Sequence, residues 1–305
     1  MITVVIPSYN RAYTLRYTLP TYYEQELVDE LIVVNDGNND ETRQVVEEFE
    51  LRYPNVRTIH IPIHQRKGAS AARNTGARAA TNEFVLFGDD DALLSDSYAR
   101  SLYKKLIADR SLAGVAGRWV QMLPGETPSV AMARFGIGFV NKPAFCKYSL
   151  LLNAEAYFKE DQRLPMAPPT VLTTKKLLME YPFDERYCKG NGYREETTFQ
   201  AAAYAQGYDF LLTNDVHCYH MAKDNVKKGG QRTGMFLNYF WCLYFNKLFL
   251  NQFYPYYKQR MRLRGPQIVA ELTFSIHQFI VSIARPLGSL WIKKPLIKLW
   301  NRLRT

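Results

Sequence analysis

The chain has 305 residues, 47% of them apolar and 22% charged, with a formal net charge of +10. That length and composition allow one large or two small domains with a substantial core and fit a folded globular protein, with no low-complexity tract. From Pro255 to Thr305 there are ten Lys/Arg and one acid, Glu271, so the positive excess belongs to the C-terminal end and the body is nearly neutral. Four cysteines (Cys146, Cys188, Cys218 and Cys242) form no CxxC pair. They read as reduced thiols of a cytosolic protein rather than a disulfide frame.

The chain opens in a strand-like run, Ile2–Ile6, which leaves no room for a signal peptide in this sequence. Further strand-like runs are Leu31–Val34, Val56–Ile61, Glu83–Phe87 and Gly114–Val120. Helical stretches lie between them, near Ala12–Gln25, Glu41–Arg52, Ala69–Ala80 and Asp96–Asp109. This alternation predicts an α/β fold with a doubly wound, mainly parallel sheet. Pro20 predicts a kink or early stop in the first helix. Residues from Arg134 to Tyr181, with Pro143, Pro165, Pro168 and Pro169, read as loop and short-strand material. A helix follows over Glu195–Gln206, closed by Gly207, and then two short strands, Tyr208–Thr213 and His217–His220. Beyond Gly229-Gly230 an aromatic helix is expected over Met235–Phe253, followed by the basic end.

The strand ends carry the chemistry. Pro7-Ser8-Tyr9-Asn10, Asn35-Asp36-Gly37 and Gly88-Asp89-Asp90-Asp91 each follow an apolar run. In a parallel sheet such loops share one edge, where open α/β sheets place ligands. Three adjacent carboxylates repel one another, so a fold keeps them mainly where a cation relieves the repulsion, which points to a metal-assisted enzyme. The blander reading is a solvated, helix-capping turn, since Ser95 and Asp96 follow.

Five segments in order resemble the family 2 glycosyltransferases, inverting enzymes of the GT-A fold that use nucleotide-sugar donors. They are Val4–Arg11, Val33–Asp40, Lys67–Gly76, Phe87–Leu94, and the block Phe183–Arg186 with Gly190–Glu196. The resemblance runs from Ile2 to about His220. It implies a Rossmann-like GT-A sheet flanked by helices: residues 1–110 as the nucleotide-sugar half, 111–230 as the acceptor half, and 231–305 as a helical, basic extension. It further implies that Pro7 and Tyr9 line the nucleobase site and that Asp36 accepts a hydrogen bond from base or ribose. Arg73 and Lys67 would face the diphosphate, and Asp89 the ribose. Asp91 would hold a divalent ion, Mn²⁺ or Mg²⁺, with His220 as a further ligand or, alternatively, a structural histidine. Asp90 is expected to point away, and His217, three residues before His220, to be the weaker candidate. Glu196 falls where the family has its catalytic Asp and would be the general base, with Glu195 as the alternative. Both also sit where first-turn acids complement a helix dipole, which would lower their pKa. Asn35 and the segment Ala167-Pro168-Pro169-Thr170 depart from the family's usual pattern.

The expected activity is sugar transfer from a nucleotide-sugar, UDP favoured, to a glycan or lipid-linked acceptor. A catalytically silent nucleotide-sugar-binding protein and a membrane-peripheral scaffold are the rival classes. A nucleotidyltransferase is disfavoured by the Glu195-Glu196 block and the lack of an N-terminal Gly-rich loop. Leu272–Ala284, 13 residues without Lys, Arg, Asp or Glu, is short of the roughly 20 that span a bilayer. Trp291–Arg304 places Leu296, Leu299, Trp300 and Leu303 on one helical face with cations largely off it. That pattern predicts a helix on an anionic membrane surface, or one packed on protein; no nucleic-acid partner is expected. The location that follows is cytoplasmic, peripheral on the inner face of the membrane.

Overall fold

The computed structural model describes residues 1–37, 41–63, 65–137, 143–153, 156, 158–222, 224–229, 233–284 and 286–287. The segment Asn38–Asp40 and the helix expected after Pro295 lie outside these residues. The chain divides into two compact units: Met1–Cys146 with Leu151–Lys189 and Arg194–Gly230, and Lys147–Leu150 with Gly190–Tyr193 and Gln231–Thr305.

The first unit is a mixed α/β layer structure. Its first half runs β1 (Ile2–Ser8), α1 (Ala12–Tyr23), β2 (Val28–Asn35), α2 (Thr42–Arg52), β3 (Arg57–Pro62), α3 (Ala69–Ala79) and β4 (Phe84–Phe87). Then come β5 (Ala92–Leu94), α4 (Tyr98–Ala108), β6 (Leu112–Gln121), α5 (Pro128–Ile137) and a small hairpin, β7 (Phe145–Cys146) with β8 (Leu151–Leu152). The unit closes with β9 (Gln162–Leu164), β10 (Val171–Thr174), α6 (Lys175–Glu180), a 3₁₀ turn over Glu185–Cys188, α7 (Thr197–Ala205) and β11 (Asp209–His220). The large sheet has the order β3-β2-β1-β4-β10-β6-β11-β5, with β9 also paired to β11. Strands β3, β2, β1 and β4 are mutually parallel. β10 is antiparallel to both β4 and β6, which leaves β6 and its parallel partner β11 running the same way as β1.

β1 and β2 are near-continuous apolar runs because both faces of the sheet are covered. Alternate side chains divide between two cores. Val4, Ile6, Leu31 and Val33 pack with Leu15, Leu19 and Tyr22 of α1 and Leu102 of α4. Val5, Ile32 and Val34 pack with Ala72 and Ala77 of α3, Leu178 of α6 and Phe199 of α7. Each such fully buried aliphatic side chain contributes about 1.5–3 kcal/mol.

Several expectations change. α1 runs through Pro20 and ends three residues later, at Tyr23. Among its described residues the segment from Arg134 to Tyr181 holds the expected short strands, β7 to β10, but also the end of α5 and helix α6, and β10 lies in the middle of the sheet. The two short strands expected after Gly207 are one strand, β11, with a register irregularity between Thr213 and His217. Gly207 closes α7 as expected, at φ +105, with its N–H on the Tyr204 carbonyl at 3.0 Å.

The second unit contains α8 (Met235–Met261), longer than the expected aromatic helix, and α9 (Gln267–Phe279), continued by a π-helical turn, Ile280–Ala284. The apolar stretch placed at Leu272–Ala284 is thus part of a longer helix, because Gln267–Glu271 adds a helical turn before it. Gln267–Ala284 makes 18 residues of mean hydropathy 1.3, long and apolar enough by length and composition to cross a membrane.

α3 packs closely on the sheet at Gly76, where a Cβ would stand 2.3 Å from Val5 Cγ1 and 3.2 Å from Val34 Cγ2. Gly76→Ala is expected to overpack this contact and cost about 1–3 kcal/mol. Urea unfolding would show it as a lower midpoint with an unchanged slope.

Candidate active site

The parallel strands deliver their C-terminal ends to one edge of the sheet, and the polar residues that follow them meet there. β4 ends at Phe87, and Gly88 lets the backbone pass the buried ring of Tyr22, whose Cε1 would lie 2.6 Å from a Cβ. The Tyr22 hydroxyl donates to the Asp89 carbonyl and accepts from the Asp89 N–H, both at 3.1 Å. The chain then returns as β5, antiparallel to β11, with Ala92 opposite His220 and the Met221 N–H on the Asp91 carbonyl at 2.9 Å. This pairing fixes His220 beside the acidic turn. Its Nε2 lies 3.6 Å from Asp89 Oδ2 and its Nδ1 3.7 Å from Asp91 Oδ1. The indole of Trp119, on β6, lies against the imidazole with ring centroids 4.3 Å apart. Trp119 Nε1 is buried without a hydrogen-bond partner among the described residues.

Two arginines neutralise the carboxylates. Arg11 Nη1 donates to Asp90 Oδ1 at 2.8 Å and to Asp91 Oδ2 at 3.0 Å. Asp90 therefore does not point away by strand alternation, as expected: β4 has already ended, and its carboxylate is buried on the same arginine as Asp91. Burial pushes the Asp90 carboxyl upward, Arg11 pulls it down, and Asp91 adds to the rise. Burial disfavours the Arg11 cation, but Asp90 and Asp91 together hold its pKa above the usual value.

Arg73 comes from the second turn of α3. It donates to Glu195 Oε1 at 3.0 Å and to Asp89 Oδ1 at 3.2 Å, and it lies 5.8 Å from the centroid of the Phe183 ring. Burial opposes its charge, but Glu195 and Asp89 raise its pKa. Burial lifts Glu195 to about 7, against the pull of Arg73 and with the help of Glu196. Its Oε2 is buried without a hydrogen-bond partner among the described residues. Glu196 occupies the N-cap position of α7 but makes no capping hydrogen bond through its side chain. Burial raises its pKa as well, so desolvation outweighs the lowering expected from the helix dipole.

The other expected residues surround this cluster. Asp36 is buried and accepts the Lys67 and Gly68 N–H groups on separate oxygens, each at 2.7 Å. It thereby fixes the turn into α3, where Gly68 has φ +88 and a Cβ would meet Cys188 Cβ at 2.8 Å. The Lys67 side chain is exposed and Pro7 is half-buried at the end of β1. The guanidinium of Arg66 lies 4.3 Å over the ring of Tyr9, one of the two residues expected to line the nucleobase site. His217 sits apart from the acidic turn, with Nε2 3.3 Å from Arg118 Nη2. Burial and Arg118 lower its pKa to about 4.

Arg11, Arg66 and Trp119 received no role from the sequence. Arg11 and Arg66 sit inside or beside quoted segments, and a cation next to a strand-end turn was the available signal. Trp119 had none beyond its place near the end of a strand.

The donor set fits a hard divalent ion. Asp89 and Asp91 offer carboxylate oxygens and His220 an imidazole, while no ready-made group of three His/Cys/Asp/Glu ligands stands among the described residues. Mg²⁺ and its relatives are commonly held by one or two carboxylates together with substrate phosphates, not by an all-protein cage.

Residues 3–145 match the family model of glycosyl transferase family 2. Glycosyltransferase GlyA of Streptococcus pneumoniae serotype 4 is 36% identical over 108 residues, which are 35% of this chain and 15% of that protein. Among solved structures, Staphylococcus aureus TarS 1–349 in complex with UDP-GlcNAc aligns with TM-score 0.58 at 17% identity, covering 94% of this chain and 74% of that one. The mannosyltransferase PcManGT from Pyrobaculum calidifontis, in complex with GDP-Man and Mn²⁺, aligns with TM-score 0.54 at 18% identity, covering 99% and 81%. Residues 3–145 are thus similar to glycosyl transferase family 2, and the sheet is that of the GT-A fold. The matched segment spans only a small part of GlyA's length.

A carboxyl whose pKa is raised on folding costs stability once it ionises. For Glu195 the stabilising protonated form is present below the ordinary carboxylate range and is lost as pH rises toward about 7. Glu195→Gln is therefore expected to gain stability relative to the parent between about pH 4.5 and 7 and then level off. Urea unfolding of both proteins across that range measures the difference; a flat difference contradicts the assignment.

Proposed function

We propose that the protein is an inverting glycosyltransferase that moves a sugar from a nucleotide-sugar to a glycan or lipid-linked acceptor. The observation that supports this most is the meeting of Asp89, Asp91, His220, Arg73, Glu195 and Glu196 at one sheet edge. Residues 1–110 take the donor and residues 111–230 the acceptor. Pro7, Tyr9 and Asp36 receive the base, with UDP the favoured nucleotide. The similar folds of TarS and PcManGT were solved with UDP-GlcNAc and GDP-Man, so both donor classes belong in the assay.

Asp89 receives the ribose. Asp91 and His220 would hold Mn²⁺ or Mg²⁺, which when bound offsets the charge of the donor diphosphate. Arg73 and Lys67 add positive charge toward the leaving diphosphate. Glu196 takes the proton from an acceptor hydroxyl while that oxygen bonds to the anomeric carbon. The bond from that carbon to the diphosphate oxygen breaks on the opposite face, and the anomeric configuration inverts. A base must be a free carboxylate at working pH. Glu196 makes no cap bond, whereas Glu195 is committed to Arg73. Glu195 instead orients Arg73, and Trp119 offers its indole N–H to a sugar hydroxyl. The basic residues after Pro255 would keep a cytoplasmic enzyme on an anionic inner membrane face, where lipid-linked acceptors lie.

Nucleotide release from a panel of UDP- and GDP-sugars, with Mn²⁺ or Mg²⁺, tests the reading. Glu196→Gln is expected to lower kcat by about 10²–10⁴ while leaving donor affinity within a few-fold. In the parent, the acidic limb of the pH–rate profile should lie above the ordinary carboxylate range, because burial raises Glu196. Turnover unaffected by Glu196→Gln would remove it as the base. Donor binding without turnover by any donor would favour a silent binding protein.

A further inference from the structure

In the second unit α8 and α9 bury an apolar seam that includes Phe245, Phe249, Phe253 and Phe274, and polar contacts run alongside it. α8 and α9 pack antiparallel, since Asn251 meets Gln267 and Cys242 meets Gln278. Gln267 Nε2 donates to Asn251 Oδ1 at 2.6 Å and to Glu271 Oε1 at 2.8 Å. Gln278 Nε2 contacts Cys242 Sγ at 3.4 Å and Ser282 Oγ at 2.8 Å. Thr273 and Ser275 bond back to their own helix, at Val269 and Glu271 carbonyls. On α8, Asn246 is buried.

The outward face is apolar. Ile268, Val269, Leu272, Ile276, Phe279 and Ile280 are each between 41% and 62% exposed. At 100° per residue these six fall within an arc of about 120°, a single stripe along the helix. A helix on a water-facing surface has the reverse arrangement, and a stripe of this size on a soluble protein marks an interaction site. α8 adds exposed Phe236, Leu237, Phe240 and Tyr244 near its start.

We infer that α9 is a membrane-docking helix that lies in the plane of an anionic bilayer, with this stripe in the acyl boundary. Charge selects the occupant. Among the described residues 233–284 there are five Lys/Arg (Lys247, Lys258, Arg260, Arg262 and Arg264) against the single acid Glu271, which complements anionic lipid headgroups. The one-sidedness selects the orientation: a spanning helix is apolar all round, whereas α9 keeps Glu271, Gln267 and Gln278 along one side. The docking surface is thus a face of the folded hairpin and does not require the segment 291–304. It is independent of the transfer reading, and its test does not measure activity.

The experiment is flotation of the full chain with vesicles of phosphatidylcholine alone and of phosphatidylcholine with phosphatidylglycerol. The variant is Leu272→Asp/Ile276→Asp. Its control is Lys104→Asp, on the exposed surface of α4, which makes the same change of two in net charge. The parent and the control are expected to float with the anionic vesicles, and the variant to lose binding by about tenfold or more at unchanged circular dichroism. If the Asp pair disturbs the fold, Leu272→Gln/Ile276→Gln serves with the same expectation. Equal flotation of variant and control overturns the inference, as does a parent that binds neither vesicle. A parent that fails to float but is a dimer by light scattering, made monomeric by the variant, overturns it in favour of an interface between copies.

Discussion

Like charges about 4 Å apart repel by about 4 kcal/mol in partly buried surroundings, and Asp89, Asp90 and Asp91 are adjacent in the chain. The site is organised around relieving that repulsion. Arg11 holds Asp90 and Asp91 from the side of α1, Arg73 holds Asp89 from α3, and His220 stands between Asp89 and Asp91 at the end of β11. Each partner arrives on a different element, so the turn after β4 can form as it does only when β1, α3 and β11 are all docked. Arg73 extends the network to Glu195, which links the acidic turn to the start of α7 and to the proposed base.

The same network leaves electrostatic capacity unused. Among the described residues Glu195 Oε2 and Trp119 Nε1 are buried with no hydrogen-bond partner, and burial raises the carboxyls of Asp90, Glu195 and Glu196 against the pull of Arg11 and Arg73. A divalent ion brought in with a diphosphate would supply charge there, and a sugar would supply hydroxyls. That is the physical sense in which the edge is arranged for a ligand and not for its own stability.

Much of this was legible in the sequence. The order β1 to β4 with its intervening helices followed from apolar runs ended by Gly, Pro and Asp; the shared edge of a parallel sheet singled out Asp89 and Asp91, and the resemblance to family 2 glycosyltransferases added Arg73, Glu195 and His220. What was not legible depended on long-range pairing. β10 is four residues between prolines and a short helix, too brief to show a period, yet it joins β4 to β6. Arg11, Arg66 and Trp119 owe their positions to partners 79, 57 and 101 residues away, at Asp90, Tyr9 and His220. α9 displays a period from which no sequence rule tells which side faces inward. Packing settles it: Ala270 and Phe274 are buried, whereas Ile268, Leu272 and Ile276 face out.

The central claim is that Asp91 and the turn around it bind the diphosphate of a nucleotide through a divalent ion. Calorimetric titration of the full chain with UDP, and separately with GDP, each with and without Mn²⁺, addresses it directly when repeated on Asp91→Ala. The account predicts nucleotide binding that requires the metal and is lost in the variant. Failure of both nucleotides to bind under every condition, or binding indifferent to Asp91, would contradict it.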